Sequence, residues 1–184
     1  MIFSLSACKS NSNVITYVEP DEREKALLNM LADHYFIFDY VSSKEYKEVK
    51  IWLEKYENGD LVNRDIQFGH FDVAEEGSII FTTTSDSSNK QFLFNIGTIN
   101  NGGITSMESM DDYPDIESMA SLWGPFYEEN PLDDGEIILA YILYDGAESA
   151  FSIPNLDFIE GSGANVEELK SYAVTYLLKA EFIE

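Results

Sequence analysis

Val49-Lys50-Ile51-Trp52-Leu53-Glu54-Lys55-Tyr56-Glu57-Asn58-Gly59-Asp60-Leu61-Val62 is the stretch that decides the fold class. Val49, Ile51 and Leu53 alternate with Lys50, Trp52 and Glu54, the period of two expected of a strand that buries one face. Asn58-Gly59 then supplies two adjacent residues that tolerate positive φ, as a tight hairpin turn demands. Leu61-Val62 opens the return strand, which extends weakly through Ile66 and Phe68. An antiparallel hairpin is therefore written into one short piece of chain.

The same reading carries outward in both directions. Phe36, Phe38 and Tyr40 alternate with Ile37 and Asp39. Gly77 introduces the β-branched run Ser78-Ile79-Ile80-Phe81-Thr82-Thr83-Thr84, and a Ser/Asp/Asn turn over 85–89 leads to Gln91-Phe92-Leu93-Phe94-Asn95-Ile96, a second hairpin. Glu136 to Tyr144 is nearly continuous in apolar residues, as in a central strand covered on both faces. Tyr172, Val174, Tyr176, Leu178, Ala180 and Phe182 give a long final strand; a helix over 166–179 competes with it, and the β-branched and aromatic content favours strand. Pro20-Asp21-Glu22-Arg23-Glu24 opens a short helix, with Pro in the first turn and acids at the positive end of the dipole. That helix is expected to end near Asp33, with Leu27, Leu28 and Leu31 as its apolar stripe over one end of a sheet. Residues 97–135 show weak periodicity and read as long loops with one short helix near Ile116 to Leu122. The sum is a mainly β protein: an antiparallel β-sandwich, or a strongly curved sheet, of about seven strands with a short N-terminal helix.

At 184 residues the chain is one ordinary domain, and its 45% hydrophobic and 14% aromatic content suits a packed core. Asp and Glu number 34 against 11 Lys and Arg, a net charge of −23. That charge all but rules out a nucleic-acid binder, because gripping phosphates requires Lys and Arg. A single cysteine excludes a disulfide framework and a four-thiolate zinc site.

That cysteine sits in Leu5-Ser6-Ala7-Cys8, followed by Lys9-Ser10-Asn11-Ser12-Asn13. The motif resembles the lipobox of bacterial membrane-anchored lipoproteins, with a leucine three residues before the cysteine and a small residue just before it. The resemblance implies diacylglycerol on the Cys8 sulfur, cleavage after Ala7, and a place on the extracytoplasmic face of the cell membrane. Two acyl chains, at about 0.8 kcal/mol per buried CH₂, suffice for stable anchoring. Residues 1–18 are then signal-peptide remnant, lipobox and tether, and 19–184 a single globular β-rich domain. The stretch before Cys8 carries no Lys or Arg and is shorter than a secretory leader. Were the motif accidental, the chain would be cytoplasmic. With its β-rich body, the whole is similar to small lipoproteins of Gram-positive bacteria without assigned activity.

Few residues point to chemistry. His34 and His70 stand in no metal spacing, no Gly-x-Ser-x-Gly elbow is present, and Gly97 to Gly103 is followed by no Lys-Ser or Lys-Thr. Carboxylates cluster at Asp111, Asp112, Asp115 and Glu117, and again at Glu128, Glu129, Asp133, Asp134 and Glu136. Hard oxygen donors of this kind are what Ca²⁺ takes. Asp111, Asp112, Asp115, Asp133 and Asp134 are therefore the candidate ligands of a Ca²⁺ ion, the one cofactor the sequence suggests, against solvated loop charge. Within Trp123-Gly124-Pro125-Phe126-Tyr127, the aromatics Trp123, Phe126 and Tyr127 either recognise a ligand or plug one end of a sandwich. The expected role is non-catalytic binding or structure. Its partners are the membrane, through the acyl anchor, and an unknown protein or wall ligand. Two other classes stay open: an acidic inhibitor or mimic of a basic protein's partner, and a divalent-metal enzyme in which Asp111, Asp115 and Asp133 converge.

Overall fold

A computed structural model describes residues 13–43, 45–86, 88–112, 119–126, 129–132, 135–145 and 169–184. Their strands are β1 (Val14–Tyr17), β2 (His34–Val41), β3 (Glu48–Glu57), β4 (Asp60–Asp72), β5 (Glu76–Asp86), β6 (Gln91–Asn100), β7 (Gly103–Asp112), β8 (Ala120–Pro125), β9 (Glu129–Pro131), β10 (Ile137–Asp145) and β11 (Val174–Ile183); the one helix among the described residues is α1 (Glu22–Leu31). Every pairing is antiparallel. The strands form two sheets, in the orders β7-β6-β5-β2-β1-β9 and β4-β3-β11-β10-β8. The β-rich sandwich is thus as expected, but with eleven strands among the described residues rather than about seven.

Three of the extra strands, β7, β8 and β9, come from the stretch read as loops, and β1 comes from the stretch read as tether. β7 pairs with β6 along its full length, yet most of its residues are exposed on both faces. Its part-buried face is Met107, Ser109 and Asp111, two of them polar, so no apolar alternation betrays the strand. Its turn did carry a signal: Asn101 and Gly102 have φ of 46° and 75°, the same Asn-Gly geometry that joins β3 to β4 at Asn58 and Gly59 (50° and 85°). The helix expected near Ile116 to Leu122 is overturned where it can be followed, since Ala120–Pro125 is strand paired with β10. The tether is also shorter than read. Asn13 already belongs to the fold: its N–H donates to the Val41 carbonyl, its side-chain oxygen accepts from Ser43 N–H at 2.6 Å, and its carbonyl accepts from Leu132 N–H.

The core lies between the sheets. Phe36, Phe81 and Phe94 form a stacked ladder across β2, β5 and β6, with centroids 6.2 Å apart at each step. Such aromatic pairs contribute about 0.5–1.5 kcal/mol beyond their buried area. Ile51, Leu53, Ile142, Tyr176 and Leu178 close over them from the second sheet. A second, smaller cluster on the outer face of that sheet gathers Tyr56, Ile138, Tyr141, Leu143, Leu177 and Tyr172. β10 serves both clusters, which is why its sequence runs apolar without alternation.

Helix α1 starts on a capping box. Glu24 N–H donates to the Asp21 carboxylate at 2.7 Å, and Asp21 N–H donates to the Glu24 carboxylate at 2.9 Å. The expected apolar stripe does not cover the sheet, however. Leu27 and Leu31 are exposed, as is Met30, and α1 buries no residue. Capping rather than packing defines this helix.

The sandwich has two distinct ends. One carries α1, the starts of β2 and β6, and the ends of β5 and β7. The other carries Asn13, the β2–β3, β4–β5 and β6–β7 loops, and the end of β11 at Ile183.

Candidate functional site

At the helix end, a buried lysine enters the interior with its charge matched. Lys55 continues the inward face of Val49, Ile51 and Leu53, so it enters the sandwich. Its ammonium lies 2.8 Å from the Asp111 carboxylate, 3.2 Å from Glu57 and 5.9 Å from the Tyr176 ring centre. Tyr176 donates its hydroxyl to Asp111 at 2.9 Å. Burial pushes the Lys55 ammonium towards neutrality, but Asp111 and Glu57 more than offset this and hold its pKa above the ordinary lysine value. Burial, then Asp111, drives the Tyr176 hydroxyl far above the usual tyrosine range. Asp111 is therefore committed to an ion pair across the two sheets. Asp112, the next residue of β7, points to the opposite face and is exposed. Asp115, Asp133 and Asp134 lie outside the described residues. Among those described, no group of three or more potential metal ligands comes together.

The expected aromatic patch divides. Trp123 sits on the inward face of edge strand β8, with centroids 5.3 Å from His34 and 5.7 Å from Phe36, both edge-on, and remains 40% exposed. Phe126 is buried in the outer cluster. Tyr127 lies outside the described residues. Trp123 and Phe126 thus face opposite sides of the sheet and form no common patch. His34 is buried beneath Trp123, with Nδ1 2.9 Å from the Thr83 hydroxyl, and burial lowers its pKa against the opposing charge of Asp33.

Glu54, the neighbour of Lys55, faces outward from the second sheet and is nonetheless buried. It accepts from Tyr56 OH at 2.6 Å and Trp52 Nε1 at 3.2 Å, and pairs with Lys179 at 3.1 Å. Burial alone would raise its carboxyl; the hydroxyl, ammonium and indole together hold it below the ordinary value. This cluster too has every charge matched.

The opposite end differs. A cleft of about 1350 Å³ opens there, walled by Tyr40 to Ser43, Lys47, residues 72–78 and residues 99–102. Asp39, Asp72 and Glu76 stand around it, and Lys47 is the one cation among the described wall residues. Asp39 accepts from Ser78 Oγ at 2.6 Å, and Asn100 donates to the Asp72 carbonyl at 2.6 Å, so the loops are cross-tied. Tyr40 pairs across the sheet with Gly77, and its hydroxyl lies where a Cβ on Gly77 would stand, 2.5 Å away. Only glycine leaves room for the ring at that spot. Five buried side-chain polar atoms among the described residues have no hydrogen-bond partner, and two, Tyr40 OH and Ser43 Oγ, belong to this wall. An orphaned buried hydroxyl costs about 1–3 kcal/mol. Gln67, Ser109 and Thr175 hold the other three orphaned atoms away from the cleft, so what marks this wall is that its two orphaned hydroxyls stand beside an open cavity.

Sequence reasoning missed the cleft because its walls come from three loops far apart in the chain. The Asn101-Gly102 turn was the one local signal for it. Neither a curated protein nor a solved structure matches the chain. The match that does exist begins within one residue of Asn13, the first residue tied into the sandwich, and runs almost to the end of β11: the chain belongs to the YgaN domain family, whose model matches residues 14–182.

Proposed function

We propose that the chain is a lipid-anchored extracytoplasmic binding domain, held at the membrane through Cys8, whose non-catalytic role is to take a cationic ligand in the cleft. Leu5-Ser6-Ala7-Cys8 supports the anchor, since it stands ahead of the matched domain and leaves Lys9 to Ser12 as a polar link. The observation that carries the binding role is the acid-rimmed cleft with the buried, unpartnered Tyr40 hydroxyl in its wall. Like charges around a concave surface focus potential and attract the opposite sign. A mimic of an acidic partner would gather its carboxylates on one face. The exposed acids here occur at both ends, with Glu22 and Glu24 on α1 and Glu75 and Glu76 at the cleft.

Two measurements test this. Expressed from its natural start, the protein should partition into detergent and take up labelled fatty acid, and Cys8→Ala should abolish both. Equal solubility and no label in both forms would refute the anchor. For the cleft, titration with a short oligolysine peptide at low salt should move the amide resonances of Tyr40, Gly77, Ser78 and Asn100 first. Glu76→Gln should weaken binding several-fold. Shifts spread evenly over all acidic surfaces would refute a built site.

A further inference from the structure

Asn13, the first residue described, and the cleft lie at the same end of the molecule. Resting on the reading of Cys8 as the lipidated residue, we infer that the cleft end of the sandwich is its bilayer-facing surface. Asn13 fixes where the folded body begins. It is bonded to Val41, Ser43 and Leu132, and Ser43 is itself a wall residue of the cleft. Only Lys9 to Ser12 separate Asn13 from Cys8. A fully extended chain covers at most about 3.3–3.6 Å per residue, so those five Cα steps reach no more than about 18 Å.

The body is longer than that reach. Strand β5 runs Glu76–Asp86 from the cleft end to the helix end, and at about 3.3 Å per residue it covers roughly 33 Å. A tether of about 18 Å fixed at the cleft end cannot bring the helix end down to the lipid while the cleft points away. The remaining alternative is a body lying on its side. Lying flat would hold the cleft and helix ends at similar heights above the lipid, and equal energy transfer from the two ends would reveal it. Under the inferred orientation a ligand of the cleft enters through the gap between the body and the bilayer. The exposed Leu27, Met30 and Leu31 of α1 are held on the far side.

The test attaches the anchor chemically, so that it stands whether or not cells lipidate Cys8. The only thiol of the full chain is coupled to a dialkyl maleimide lipid. The protein is then reconstituted on vesicles of phosphatidylcholine and phosphatidylglycerol, three to one, with an acceptor dye at the lipid surface. A donor dye on an azido amino acid is placed at exposed Glu45, in the β2–β3 loop, or at exposed Ser88, in the β5–β6 turn. Energy transfer should be several-fold stronger from 45 than from 88. Inserting ten Gly/Ser residues between Ser12 and Asn13 should shrink that difference. Equal transfer from the two positions, or stronger transfer from 88, would overturn the orientation. A failure of Cys8 labelling in cells would overturn the anchor and leave this geometry standing.

Discussion

The two ends of the sandwich each bury a tyrosine hydroxyl, and they treat it in opposite ways. At the helix end Lys55, Asp111 and Tyr176 enter the interior and satisfy one another, with separations of 2.8 and 2.9 Å. At the cleft end the Tyr40 hydroxyl, at equal depth, has no partner. Both tyrosines are inward-facing core residues almost wholly removed from solvent, 1% exposed each. What separates them is the residue each hydroxyl meets: a carboxylate on β7 of the facing sheet for Tyr176, and a glycine on the adjacent strand β5 for Tyr40. A satisfied network holds the sheets together, whereas an unsatisfied wall is where a ligand can gain hydrogen bonds. Polarity inside a sandwich is thus no guide to function until its partners are counted.

The contrast is sharpest if broken at Lys55. Lys55→Ala strands Asp111 between the sheets, and breaking a buried pair costs roughly 3–5 kcal/mol. Asp111 keeps the Tyr176 bond and some access to water, so the lower part of that range is expected in a denaturant titration. A loss below about 1 kcal/mol would mean that the pair is not buried in solution. Tyr176→Phe comes next. Removing a hydrogen bond to a charged group costs about 1.5–3 kcal/mol.

A pH scan probes His34 at the same end. Burial lowers its pKa, so the unfolded chain binds that proton more readily than the folded one. Stability should therefore fall as pH drops through the ordinary histidine range, near 6.5. Glu54, whose folded pKa is depressed, adds its loss at lower pH, as pH falls through the folded carboxyl value. His34→Gln should flatten the first part of the scan and leave the second; an unchanged first part would clear His34 of the effect. The smallest change is expected at the cleft. Tyr40→Phe removes an orphan donor and should be neutral or stabilising by up to about 1 kcal/mol. A clear destabilisation there would show that Tyr40 has a partner and that the two ends do not differ.

Much of the fold was legible, and the reasons are local. Asn58-Gly59 turned the chain where its φ preferences require, and Phe36, Phe38 and Tyr40 all face the core as their alternation predicts. Pro20 precedes the Asp21 cap instead of standing in the first turn, but the acids placed the start of α1 correctly. Its burial was misread, because a Leu stripe shows that a helix could pack, not that a sheet lies under it. β7 escaped notice because exposed edge residues such as Thr105, Ser106 and Glu108 are free of the pattern that burial imposes. The acidic cluster was legible as charge and illegible as structure. Asp111 and Asp112 are adjacent in sequence, yet strand geometry sends one into an ion pair and the other to solvent.

Residue order and type are enough to say that this chain is β-rich, where its tight turns fall and how strongly anionic it is. All three follow from short-range sterics and composition. The three-dimensional fold is what buries adjacent Glu54 and Lys55 on opposite faces of one sheet, each with its own countercharge. It alone assembled the cleft, since strand order decides which loops converge at one end. Periodicity says that side chains alternate; which side finds cover depends on what the rest of the chain brings to it.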